Sequence, residues 1–158
     1  MGKGKNLSSL GRMPHSGKFI PESTGVDNGR YYQLKPSWKF SEAWRGDPKI
    51  EKVEFYGYDE IQKQGQYLIE KLAQFEGRRW NEILIIDKKS NHEIAVSALS
   101  KEAQRVIQKF LPNMDSIVSL RFSGQERLFG RIEGGTGAFV ILFWDPHHKV
   151  CLSSLKHT

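Results

Sequence analysis

SIVSLRFSGQERLFGRIEGGTGAFVILFWDPHHKV, residues 116–150, reads as three short strands joined by tight turns. In the first, Val118, Leu120 and Phe122 point one way and Ser119, Arg121 and Ser123 the other. Ser123-Gly124 supplies a turn. In the second, Arg127, Phe129 and Arg131 share a face opposite Leu128, Gly130 and Ile132. Gly134-Gly135-Thr136-Gly137 turns the chain again, and Phe139–Trp144 is apolar throughout, the signature of the most buried strand. Period-2 alternation between glycine-bounded turns predicts an antiparallel meander with arginines on one face.

Upstream of this stretch the periodicity changes. Ala103, Val106, Ile107 and Phe110 fall at i, i+3, i+4 and i+7, an amphipathic stripe that predicts a helix from near Ser100 to Phe110, stopped by Pro112. Ile61, Leu68, Leu72 and Phe75 predict a longer helix capped by Asp59, with Gly65 inside it against a close neighbour. Arg78–Ile86 reads as a second, shorter helix with Trp80, Ile83 and Leu84 buried. Lys49–Tyr56 (KIEKVEFY) and Trp38-Lys39-Phe40 alternate like strands, and His92–Val96 is short and extended. The expected class is α+β: an antiparallel sheet, the C-terminal three-strand meander, with about three helices packed on one face. Residues 31–150 form the expected single domain, preceded by a flexible basic tail over 1–30 and followed by a short tail over 151–158.

Composition narrows the function classes. The 158 residues carry a net charge of +6, unevenly spread. Residues 1–35 hold six Lys/Arg and two Asp/Glu, the remainder eighteen and sixteen. A basic tail suits a polyanion, although solvated tails are common. A single cysteine, Cys151, excludes an intrachain disulfide and a cysteine-based zinc site, and suits the cytoplasm. No apolar run approaches the roughly 20 residues a membrane span needs. Phosphate-loop, dinucleotide, zincin, nucleophile-elbow and EF-hand motifs are absent. Gly134–Gly137 lies between two strands and so reads as a hairpin turn rather than a phosphate cradle.

Three groups of residues carry candidate chemistry. Arg121, Arg127 and Arg131 present permanent cations that fork onto phosphate oxygens, with Lys149 and Arg105 as further phosphate contacts. The alternative is a solvated face with ion pairs to Glu126 or Glu133. His148, in Asp145-Pro146-His147-His148 after the buried strand, and His92 are proton-transfer candidates; with Arg131 they form the expected catalytic set for metal-independent RNA cleavage. There one imidazole takes the 2′-hydroxyl proton and the other protonates the leaving 5′-oxygen, leaving a 2′,3′-cyclic phosphate. The alternatives are a surface turn capped by Asp145 and a loop histidine of no consequence. Trp38, Phe40, Trp44, Tyr56 and Tyr58 suit base stacking or, more often at strand spacing, a core. No cofactor or metal ion is expected.

The run Arg127–Ile132, then Phe139–Trp144, then His147-His148-Lys149, resembles the ending of RelE/ParE-superfamily bacterial toxins, in which an Arg-bearing strand, a Gly turn, an apolar strand and a basic loop follow in order. The resemblance spans residues 49–150 and implies an endoribonuclease acting on free or ribosome-associated RNA, restrained by a protein antitoxin, with Arg121, Arg127, Arg131 and His148 at work. The region before residue 49 and the helix inserted ahead of the meander depart from that family. Trp80-Asn81-Glu82-Ile83, His92, Leu99–Ala103 and Trp144–Val150 are also similar to small bacterial and prophage proteins of unknown activity. The rival expectation is a non-enzymatic phage or mobile-element protein that binds nucleic acid or a protein partner.

Overall fold

The computed structural model describes residues 30–151. The expected tails over 1–30 and 151–158 fall almost wholly outside that range. Five strands form one mixed sheet in the order β1-β5-β4-β3-β2. They are β1 (Ser37–Lys39), β2 (His92–Ala95), β3 (Ser116–Ser123), β4 (Glu126–Ile132) and β5 (Ala138–Asp145). β3, β4 and β5 pair antiparallel in sequence, as alternation predicts, but they do not make the whole sheet. β2 adds to the outer edge of β3 antiparallel, and β1 adds to β5 in parallel, with Ser37 opposite Ala138.

The helices pack on both faces of this sheet, not on one. Two core clusters show it. Val118, Leu120, Leu128, Phe139 and Trp144 of the sheet meet Ile61, Leu68, Leu72, Trp80 and Ile83 on one side. Ile117, Phe129, Val140, Leu142 and Phe143 meet Val96, Ala103, Val106 and Ile107 on the other. Every residue of β5 is buried because both of its faces are covered. Its alternation slips once. Phe129 pairs with Phe143 and Gly130 with Ile141, so Leu142 is an extra residue on β5. The bulge sends Leu142 and Phe143 into the same cluster and returns Trp144 to the face of Phe139 and Ile141.

Three elements depart from their local pattern. KIEKVEFY is not a strand. Asp47 accepts the Lys49 amide and Pro48 takes the first helical position, so α1 (Pro48–Glu51) forms, and Lys52 ends it at φ 59°. Only Tyr56 bridges to the sheet, exchanging both backbone bonds with Trp144. The helix expected from Asp59 divides at Gln64 into α2 (Tyr58–Lys63) and α3 (Gly65–Ala73), with Gly57 rather than Asp59 at the first cap. Gly65 starts α3 and has open space around it, not a close contact. The expected helix over Arg78–Ile86 is helical only from residue 80, and its last five residues, Glu82–Ile86, are wound as a π-helical turn; Trp80, Ile83 and Leu84 are buried as expected. The Trp80 indole donates to the Gly137 carbonyl at 2.8 Å, which ties this turn to the β4–β5 hairpin.

α4 (Lys101–Phe110) follows its pattern closely. Ser100 Oγ accepts the Ala103 amide, and Ala103, Val106 and Ile107 are buried. Burying the Val106 and Ile107 side chains contributes about 2 kcal/mol each.

Candidate functional site

Strand register decides which of the candidate residues meet. Arg121 of β3 lies directly opposite Arg127 of β4, and Arg127 lies opposite Asp145 of β5. Residues directly opposite in an antiparallel pair have Cα atoms about 5 Å apart. Two guanidinium groups therefore stand side by side near the Ser123–Glu126 turn. Both donate to the carbonyl of Gly124, Arg121 through Nε at 3.2 Å and Arg127 through Nη1 at 2.8 Å. Arg127 also donates to its neighbour's carbonyl at Glu126. Neither arginine forms an ion pair among the described residues. Burial lowers the Arg127 pKa and the Arg121 charge lowers it further, while Cys151 and Asp145, which lies opposite on β5, oppose the fall.

The remaining candidate cations are neutralised. Arg131, half-buried, holds Glu42 at 2.8 Å, a partner outside the Glu126/Glu133 pair that the sequence suggested. Glu133 instead takes Lys39 at 2.7 Å, which lowers its pKa. Arg105 donates to the Glu51 carbonyl at 2.6 Å and stands 4.0 Å from its carboxylate. Lys149 lies 3.7 Å from Glu54. Arg131 is also four residues along β4 from Arg127, about 13 Å at strand rise. The three arginines thus share a face but not a site.

The two histidines stand apart as well. His92 opens β2, opposite Ser119, in a row that continues through Phe129 to Phe143. Three strand spacings, about 14 Å, separate it from β5. Its Nδ1 donates to the Lys88 carbonyl at 3.1 Å. His148 follows β5 in a left-handed conformation at φ 60°. It faces Asp145, whose carboxylate is fully buried and accepts the amides of Lys149 and Val150, each at 2.9 Å. Burial raises the Asp145 pKa, and the amides and His148 oppose that rise. Asp145 thus caps the turn that follows β5.

Two clefts flank the β3–β4 turn. One, of 230 Å³, is lined by Phe75, Arg78, Arg121 and Phe122, with Ser123 and Asn91 as further polar groups. Arg78 is 3.4 Å from Asp87, which offsets its charge. Asn91, just ahead of β2, accepts the Arg121 amide through Oδ1, which fixes the strand that carries the guanidinium. The other cleft, of 460 Å³, is lined by Tyr56, Tyr67, Trp144, Glu60, Glu126 and His147. Residue spacing gives no sign of it, because its walls come from α2, α3, the turn and the end of β5.

Comparisons with protein families, known proteins and solved structures find no match. The likeness of the C-terminal strands to RelE/ParE toxins therefore stands on its residues alone. Among the described residues no helix is long and apolar enough to cross a membrane, and no three His, Cys, Asp or Glu side chains gather into a metal-binding group.

Proposed function

We propose that the protein is a nucleic-acid-binding module that holds an RNA phosphate backbone between Arg121 and Arg127. One observation carries this reading: two like charges lie directly opposite on neighbouring strands, and neither forms an ion pair among the described residues. Such a pair destabilises a sheet, and a phosphate with oxygens for both forks offsets the repulsion. The excess of cations in residues 1–35 adds long-range attraction.

Metal-independent cleavage asks more of the same surface. A proton acceptor and a proton donor must both reach one phosphodiester, and His92 opens β2 at one edge of the sheet while His148 lies in the loop after β5, three strands away. That separation favours binding over cleavage.

The test is the affinity of a labelled single-stranded RNA across a salt series, for the wild type and for the Arg121→Gln/Arg127→Gln protein. The double variant is expected to bind about tenfold more weakly at low salt, for all sequences alike, with a log–log salt slope shallower by about 1. Unchanged affinity and slope count against the reading. The same RNA incubated in EDTA separates the two activities. Intact RNA fits a binder, and 2′,3′-cyclic ends lost in His148→Ala turn the reading to a nuclease.

A further inference from the structure

The larger cleft is unlike the rest of this basic protein. Its walls are the rings of Tyr56, Tyr67 and Trp144, and its charged groups are the carboxylates of Glu60 and Glu126. Trp144 packs on Tyr67 with ring centroids 6.1 Å apart and on Phe122 at 5.7 Å, which holds the aromatic floor rigid. Glu126 is half-buried and accepts hydroxyl hydrogens from Tyr67 and Ser123. Burial and that bond to Glu126 raise the Tyr67 pKa, so the phenol keeps its proton. No Lys or Arg pairs with Glu126 among the described residues. Glu60 has Lys63 only at 4.0 Å and accepts from Gln64 at 3.0 Å.

A carboxylate with neutral donors only, set beside aromatic faces, is short of one cation. The neighbouring surface shows how this protein satisfies such rings. The Arg45 guanidinium lies 3.8 Å from the centroid of Tyr58, and Lys71 lies 5.5 Å from that of Tyr67. A planar guanidinium combines both interactions, forking onto a carboxylate while it stacks on a ring. A compact ammonium does the first less well. A phosphate is repelled by Glu60 and Glu126, so the occupant differs in kind from that of the arginine pair.

We propose that this cleft is a binding site for a guanidinium group, with Glu126 as its anionic partner and Tyr67 and Trp144 as its stacking wall. Glu60 adds a second negative charge at the rim. The chemistry is that of an arginine, either free or displayed on a peptide, and the cleft's volume falls in the range of small-ligand sites.

The full chain, labelled with ¹⁵N, is titrated with a short neutral peptide carrying one arginine, with the same peptide carrying citrulline, and with free L-arginine. The indole resonance of Trp144 is followed. The arginine peptide is expected to shift it saturably, and the uncharged citrulline peptide to bind at least about tenfold more weakly, since a charge-assisted bond is lost. Glu126→Gln, which keeps an acceptor for Tyr67 and Ser123, is expected to weaken the arginine peptide about tenfold. Glu60→Gln weakens it less and serves as the second variant. Free arginine that matches the peptide identifies the small molecule as the source; a clear advantage for the peptide identifies a protein. Equal binding of citrulline and arginine, no shift with either, or affinity untouched by both substitutions overturns the site.

Discussion

Gly130→Ala is expected to cost about 3 kcal/mol or more, a large share of the 5–15 kcal/mol by which domains are stable. Gly130 sits in β4, between β3 and β5, where the bulge brings the β5 backbone close. A Cβ there meets the Val140 carbonyl at 2.3 Å and the Phe139 ring at 2.7 Å. The carbonyl cannot withdraw without breaking the β4–β5 ladder, and the ring is fully buried in the core. Gly135→Ala, in the following turn, is the comparison. A Cβ at that position has nothing within 4 Å, so its cost should stay within about 0.5 kcal/mol. Urea unfolding of the two variants measures the difference, and equal costs contradict the packing described for the bulge.

Asp145→Ala is the second large effect. The carboxylate organises the chain's exit from β5 by accepting the amides of Lys149 and Val150. Val150 is fully buried, and its carbonyl accepts the Ser100 amide at 2.8 Å, so the exit loop anchors the start of α4. Removing the carboxylate leaves two amides without acceptors, about 1–3 kcal/mol for each one that is buried, and about 3 kcal/mol in all. The pH dependence has a definite sign. Burial raises the pKa of Asp145 above its ordinary 3.8, so the folded chain holds the proton more tightly than the unfolded chain does. Its contribution is therefore full below 3.8 and falls as pH rises through the raised folded value. Asp145→Asn removes that slope. The penalty of Asp145→Asn, from denaturant unfolding at a series of pH values, should be greatest in acid and shrink towards neutrality. A penalty that grows with pH contradicts the direction.

The parts of the fold legible in the sequence are those with a local signature. Val118, Leu120 and Phe122 alternate with polar residues, and Ala103, Val106 and Ile107 keep helical spacing after a serine cap; both segments fold accordingly. Lys49–Tyr56 alternates as well, yet the Asp47-Pro48 cap and the left-handed Lys52 turn it into a helical turn. There, capping outweighs a pattern too short to carry its own pairing. The parallel pairing of β1 with β5 joins Ser37 to Ala138, and no local residue pattern announces a contact so distant in sequence. One signal for the two-sided packing was present: a strand without a single polar residue from Phe139 to Trp144 needs cover on both faces.

The candidate site was legible in a similar way. Alternation and a tight turn are enough to put Arg121 beside Arg127. They say nothing of acids elsewhere in the chain. Glu42 reaches Arg131 from 89 residues away, and Glu51 and Glu54 claim Arg105 and Lys149. The aromatic cleft escapes notice for the same reason, since Tyr56, Tyr67, Glu126 and Trp144 are adjacent only in three dimensions.

Arg121 and Arg127 are proposed to be held together against their mutual repulsion by a role in binding phosphate. Arg121→Gln tests both halves in one protein, with unfolding stability and RNA affinity measured at low and high salt. The expected result is a gain in stability of about 0.5 kcal/mol at low salt that fades at high salt, together with weaker RNA binding. Unchanged or reduced stability with undiminished RNA affinity contradicts it.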